Sequence, residues 1–221
     1  MSESDYYSYL RQIHELYGDE IFVTFPETMQ TYSLSDFENE INACEKCSLG
    51  KTRTKFVFGV GNPQSPIVFV GEAPGKDEDL QGEPFVGRAG KLLDKIFAAI
   101  NLSREDVYIC NVLKCRPPQN RDPLPSEIEL CEPYLLRQLE IIQPGLIVAL
   151  GRIAAHTLLK IKDRMMDMRK QTYIYHGIPM KVTYHPSALL RNPSFKKPAW
   201  EDFKEILAVY NQILSERSTN G

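Results

Sequence analysis

The sequence is first informative for what it lacks. No apolar run approaches the roughly 18 residues a membrane span needs, and the longest, such as Leu146–Leu150, are strand-sized. The opening Met1-Ser2-Glu3-Ser4-Asp5 is acidic and polar, unlike a signal or transit peptide. No internal repeat or low-complexity tract interrupts the 221 residues. A charge excess of one sign is missing too: 26 basic against 29 acidic residues leave a net charge of −3. With 43% hydrophobic and 25% charged residues, the composition excludes disordered, collagen-like and coiled-coil classes. A chain of this length buries roughly 70% of the surface its unfolded form exposes, enough for a full core without staples. These absences predict a soluble, cytoplasmic protein with one main domain, expected to be a monomer with no membrane partner.

The near-zero charge hides an asymmetry. Residues 1–43 carry nine acidic residues and one basic one, Arg11, whereas the rest carries 25 basic and 20 acidic residues. A mildly basic core behind an acidic leader is compatible with a polyanionic partner, because local charge steers binding more than the total does. A merely solvated acidic helix accounts for the same numbers. In the leader, Tyr9, Leu10, Ile13, Leu16 and Tyr17 fall at helical spacing. Ser35-Asp36-Phe37-Glu38 reads as a second helix start, with Ser35 as N-cap and Glu38 in capping-box position. Residues 1–40 are therefore expected to form an acidic helical extension ahead of a domain over 41–221.

From Lys55 onward, short apolar runs alternate with amphipathic stretches. Ile67–Val70, Val107–Ile109, Leu146–Leu150 and Met180–Tyr184 are the strand candidates. Three of them are too apolar for a half-solvated sheet, which suits parallel strands covered on both faces. Between them lie helical stripes: Leu92 to Ile100, Ile128 to Ile142, Gly151 to Leu159 and Trp200 to Leu214. Pro133 falls inside the second and is expected to kink it or delay its start. The alternation implies an α/β sandwich with its ligand site beyond the carboxyl ends of the strands.

Five cysteines are present. Cys44 and Cys47 form a C-x2-C pair, Cys115 follows a strand, and Cys131 lies inside the next helix. Thiolates in this arrangement suit zinc or an iron–sulfur cluster, and spacing alone does not separate the two. Buried free cysteines are the competing reading. Cys110, within a strand, is assigned to packing.

The segment Val70-Gly71-Glu72-Ala73-Pro74-Gly75 brings a strand into a loop framed by glycines, placing backbone amides and a carboxylate at the sheet edge. It lacks both the Lys-Ser/Thr ending of a P-loop and the G-x-G-x-x-G spacing, so nucleoside triphosphate and dinucleotide readings lose support. Phe85, between Pro and Gly residues in the run 81–90, is either a stacking platform or a core plug. His185 leaves a strand at the same edge as Glu72 and Asn111 if the strands are parallel. Leu189-Leu190 beside Arg191 reads either as an apolar wedge next to a phosphate-holding cation or as two inward-packed leucines.

Together these segments resemble the family 4, iron–sulfur uracil-DNA glycosylases. The resemblance covers about residues 40–215 and rests on GEAPG at 71–75, QGEPFVGRAG at 81–90, NVLKCRPPQNRDP at 111–123, HPSALLR at 185–191 and four spaced cysteines. It implies a three-layer α/β/α sandwich around a four-stranded parallel sheet, a structural 4Fe-4S cluster on Cys44, Cys47, Cys115 and Cys131, and uracil-containing DNA as partner. It also implies roles. Phe85 stacks on a flipped-out uracil, Gly71 and Ala73 border it, Asn111 reads its O4 and N3–H, and His185 donates to O2 as charge builds on the leaving base. Ala73 stands where the best-known branch has an aspartate, so Glu72 or Glu78 is expected to orient water. Ser187, Leu190 and Arg191 are expected to engage DNA, with Arg88, Lys91, Lys114, Arg116, Arg121, Lys196 and Lys197 as a phosphate track. The stretch 117–122 lacks the His-containing loop of the covalent variant, so no covalent capture is expected. No lysine is placed for a Schiff base, so the enzyme is expected to be monofunctional. A non-catalytic metal-bound nucleic-acid-binding module, or a glycosylase for another deaminated base, are the alternatives.

Overall fold

The computed structural model describes residues 32–219; the first leader helix expected near Tyr9–Tyr17 lies outside them. Residues from Ser33 onward form one compact unit. Its centre is a six-stranded sheet in the order β1-β3-β2-β4-β6-β5, with β1 Val60–Gly61, β2 Ile67–Gly71, β3 Tyr108–Asn111, β4 Leu146–Leu150, β5 Tyr173–Tyr175 and β6 Ile178–Thr183. The four expected strands make the parallel centre, β3-β2-β4-β6. Each edge carries one further, antiparallel strand of two or three residues that the sequence did not suggest.

Side chains alternate across this sheet, and both faces are dry. Val68, Val70, Tyr108, Cys110, Ile147, Ala149, Met180 and Val182 enter one core. Ile67, Phe69, Ile109, Leu146, Val148 and Leu150 enter the other. Double coverage explains why the strands read as unbroken apolar runs. On the first face lie α1 (Leu34–Ile41), α5 (Pro125–Ile142) and α6 (Arg152–Leu159); on the second lie α4 (Arg88–Ala99) and α9 (Lys196–Thr219); the short α2 (Leu49–Thr52) and α3 (Lys76–Gln81) come between α1 and α4 in the chain. Phe69 anchors the second face, 4.9 Å from the Phe97 ring and 6.1 Å from the Phe203 ring. Among the described residues, no helix is long and apolar enough to cross a membrane.

Two local expectations are corrected. The cap of α1 is Ser33, not Ser35: the Asp36 amide donates to Ser33 Oγ at 3.1 Å, and Asp36 Oδ2 accepts from the Ser33 amide at 3.0 Å. Starting there places Leu34, Phe37 and Ile41 in one helix with all three buried, so the helix begins two residues ahead of the expected cap. Helix α5 begins at Pro125, eight residues ahead of Pro133, and continues through it to Ile142. Pro133 and Glu129, whose carbonyl loses its partner, are both exposed, so water can satisfy the freed oxygen.

Lys114 is a third correction. Expected on a phosphate-binding surface, it has no solvent exposure. Its ammonium donates to the Asn111 carbonyl at 2.8 Å and to Gln138 Oε1 at 2.5 Å, while Gln138 Nε2 donates to the Phe58 carbonyl and the Tyr108 hydroxyl. Every polar atom of Gln138 is therefore committed. Removing it with Gln138→Leu strands a buried cation, and urea unfolding is expected to show a loss of about 2–3 kcal/mol.

Candidate active site at the carboxyl edge of the sheet

Because β2, β3, β4 and β6 are parallel, their last residues all deliver side chains to one edge. The chain leaves β2 at Glu72, β3 at Asn111, β4 at Gly151 and β6 toward His185. Between β2 and β4 the strand order reverses direction, the position at which open α/β sheets form a crevice. A cavity of about 660 Å³ opens there, and Glu72, Phe85, Asn111 and His185 all line it.

Asn111 is 2% exposed and sits in register with Gly71 on the neighbouring strand. A Cβ at Gly71 would overlap Asn111 Oδ1 and lie 2.7 Å from Phe85 Cζ, so the missing side chain makes room for both. Gly71 is thus the support beneath the site and not part of the cavity wall, whereas Ala73 does line it.

Phe85 has φ of +55°, a left-handed conformation costly for an aromatic residue. Three neighbours hold it. Arg104 donates to the Pro84 carbonyl at 3.0 Å and to the Phe85 carbonyl, and is itself anchored by Asp94 at 2.7 Å. Gly90 leaves space where any Cβ would overlap the Phe85 carbonyl. Glu78 accepts from the Val86 and Gly87 amides through Oε1, both at 3.0 Å, and from the Gly75 amide through Oε2 at 3.1 Å. That carboxylate fastens the glycine loop to the Phe85 turn, so its oxygens are occupied by the protein.

His185 caps the short helix α8 (Pro186–Arg191). Its Nδ1 accepts from the Ser187 amide at 3.1 Å and lies 2.8 Å from Ser187 Oγ, which in turn accepts from Arg191 at 3.3 Å. A ring nitrogen that accepts from an amide is unprotonated, so the neutral ring carries its proton on Nε2. Burial, with the Arg191 charge behind it, lowers the His185 pKa to about 4. The Phe85 ring lies 5.4 Å from the imidazole.

Glu72 is shifted the other way. Burial, reinforced by the negative charge of Asp122 and opposed by Arg152, raises its pKa to about 7. Asp122 and Arg152 both line the cavity. Arg152 escaped the sequence reading; the signal for it was its position as the first helical residue after an apolar strand and a glycine. Of the expected DNA-binding residues, Ser187 and Arg191 line the cavity mouth, Leu190 is 47% exposed and Leu189 packs inward at 2%. Arg121 pairs with Glu127 through two bonds of 2.6 and 2.9 Å and also lines the cavity.

The four spaced cysteines meet on the far side of the Asn111 loop. Cys44, Cys47, Cys115 and Cys131 line one small cavity whose other walls include Leu49, Phe56 and Leu113. Three sulfurs have donors: Tyr134 Oη at 3.2 Å from Cys44, Arg53 Nη1 at 3.5 Å from Cys115 and the Lys114 amide at 3.4 Å from Cys131. Among the described residues, no three His, Cys, Asp or Glu side chains converge as the ligands of a single ion would. Cys110 is buried in the core, as expected.

The shift on Glu72 has a thermodynamic consequence. Its folded-state value lies above the ordinary 4.5, so its stabilising contribution is complete below pH 4.5 and is lost as pH rises through 7. Glu72→Gln is therefore expected to raise stability at pH 8 relative to wild type and to leave it nearly unchanged at pH 4.5, as measured by urea unfolding at the two pH values.

A family model described as the uracil DNA glycosylase superfamily matches residues 58–204. A type-4 uracil-DNA glycosylase of Archaeoglobus fulgidus is 51% identical over 187 residues, covering 79% of this chain and 92% of the relative. Proteins of the same name from Saccharolobus solfataricus and Thermotoga maritima are each 46% identical, covering 76% and 70% of this chain and 82% and 81% of theirs. On this evidence, and with the matched span enclosing the whole sheet, the chain belongs to the uracil DNA glycosylase superfamily, in its type-4 branch.

Proposed function

We propose that this protein hydrolyses the N-glycosidic bond of uracil in DNA, as a monofunctional glycosylase that leaves the abasic strand uncut. The observation that carries the reading is the convergence of Phe85, Asn111, His185 and Glu72 on one cavity. A base within a duplex is out of reach of such a recess, so the nucleotide is extruded into it, at a cost of a few kcal/mol in unstacking. Leu190, exposed beside Arg191, is suited to fill the gap left in the stack while the guanidinium holds phosphate.

Inside the cavity, the roles follow from donor and acceptor chemistry. The ring of Phe85 offers a stacking face. The Asn111 amide donates to uracil O4 and accepts from N3–H; cytosine reverses both groups, leaving a buried amide unpaired and so rejecting that base strongly. As the glycosidic bond lengthens, negative charge grows on the base, and Nε2–H of neutral His185 donates to O2 where that charge gathers. Of the two carboxylates next to the glycine loop, Glu72 is the one with oxygens available to orient the attacking water, because Glu78 already accepts three amides. Among the described residues, no lysine lines the cavity.

The second half of the reading is a 4Fe-4S cluster held by Cys44, Cys47, Cys115 and Cys131. An all-thiol donor set in one apolar cavity fits such a group. When bound, the cluster supplies a rigid cross-link between the Cys44–Cys47 segment, the Cys115 loop and α5.

Incubation with a uracil-containing oligonucleotide followed by alkali tests the activity: cleavage at the uracil is expected, and intact strands from cluster-loaded protein would point to a binding module instead. Asn111→Ala is expected to lower the rate by 10²-fold or more, about 3 kcal/mol. Glu72→Gln and Glu78→Gln separate the two carboxylates. Wild-type rate should rise with pH through about 7 as Glu72 ionises, and Glu72→Gln should flatten that limb. Glu78→Gln should lower the rate at every pH while leaving the profile's shape intact. Elemental analysis of anaerobically purified protein should find about four irons and four labile sulfides per chain; stoichiometric zinc would overturn the cluster assignment.

A further inference from the structure

A buried polar network lies directly behind His185. Arg169, which follows the short helix α7 (Met165–Met168), grips Asp202 of α9 through Nε at 2.7 Å and Nη2 at 2.6 Å, and Nη2 also donates to the Pro198 carbonyl at 2.6 Å. Both side chains are 11% exposed. The Thr183 hydroxyl donates to the same Asp202 oxygen that Nε uses, at 2.6 Å. The guanidinium carbon lies 4.7 Å from the Tyr184 ring centroid, and that ring stacks on Phe195 at 4.5 Å with planes 4° apart.

Thr183 and Tyr184 are the two residues immediately before His185. From the other side, the Gly151 amide donates to the Thr183 carbonyl at 2.8 Å, and a Cβ on Gly151 would lie 2.7 Å from His185 Cβ. The backbone that presents the imidazole is thus fixed by an ion pair, a hydroxyl, an aromatic stack and a glycine. A buried ion pair adds little stability over apolar side chains of the same volume. What this one does supply is direction, since its bidentate geometry ties α7, α9 and the end of β6 at one point.

We infer that Arg169, through Asp202, is a positioning residue that sets His185 against the base; the inference rests on the glycosylase reading above. Arg169 is not among the residues that line the cavity. Its influence is confined to the placement of a donor whose hydrogen bond strengthens only in the transition state, so its loss should appear in kcat and not in KM. A displacement of the order of 1 Å at such a donor costs as much as 10²-fold in rate.

Single-turnover excision from a uracil-containing oligonucleotide tests this, with Arg169→Met made both in otherwise wild-type, cluster-loaded protein and in the His185→Ala background. The expected losses are about 10-fold in the first and less than about 2-fold in the second, with KM nearly unchanged, because residues acting through one another are not additive. Thr183→Val keeps the ion pair and removes one hydroxyl. It should give a smaller loss with the same dependence on His185, and it serves if Arg169→Met does not fold. Equal losses in both backgrounds, or a wild-type rate in Thr183→Val, would overturn the inference, as would a lower melting temperature with an unaltered rate. Failure of wild-type protein to release uracil would instead remove the underlying reading, and the unsubstituted control reports that separately.

Discussion

The carboxylate of Glu78 is the constraint on which the cavity depends. It takes one amide from the loop that leaves β2 and two from the turn that carries Phe85, so two separate segments of the chain share one anion. Hydrogen bonds to a charged acceptor are shorter and stronger than neutral ones, and three of them offset the unfavourable left-handed backbone at Phe85. Arg104 and Gly90 close the remaining side of that turn. The aromatic face is therefore in place before any base arrives, and the binding step need not order it.

The same edge of the sheet pushes two titratable groups in opposite directions. His185 is driven neutral by burial and by the nearby Arg191, while Glu72 is driven toward its protonated form by burial and Asp122. Such divergence marks sites that run acid–base chemistry near neutral pH. The Ser187 amide adds what a pKa cannot: it occupies Nδ1 and so fixes which nitrogen holds the proton. A neutral donor of fixed tautomer suits a leaving group that becomes anionic late, because it interacts weakly with the neutral base and strongly with the departing one.

Much of this was legible in the sequence, for identifiable reasons. The four central strands announced themselves because a sheet covered on both faces needs continuous apolar runs, and the edge strands did not because two or three residues hold no period. Glu72, Asn111 and His185 could be placed on one edge from topology alone, since parallel strands share a carboxyl end. What remained hidden depended on three-dimensional satisfaction. Lys114 reads as a surface cation until Gln138, 24 positions later, is seen to accept a hydrogen bond from its ammonium. Ser35 reads as the cap until Leu34 is seen buried within the helix that Ser33 starts. Glu78 and Glu72 look interchangeable as carboxylates near a glycine loop, and only their partners tell a clamp from a free group.

Lys114 also connects the two halves of the molecule's chemistry. Its ammonium holds the carbonyl of Asn111, its amide donates to Cys131, and the next residue is Cys115. Five consecutive residues, Asn111 to Cys115, thus run from the candidate active site to the cysteine cavity, pinned by a cation that is fully buried. A cation in that position is tolerable only where acceptors surround it and negative charge lies close by. On the cluster reading, thiolates supply that charge, and the loop bearing Asn111 is tightened from behind by the same group that cross-links Cys44, Cys47 and Cys131. The two sites are then one construction: the cysteine centre sets the stiffness of the segment that carries Asn111, and the proposed discrimination between uracil and cytosine fails if that amide can turn to satisfy either base.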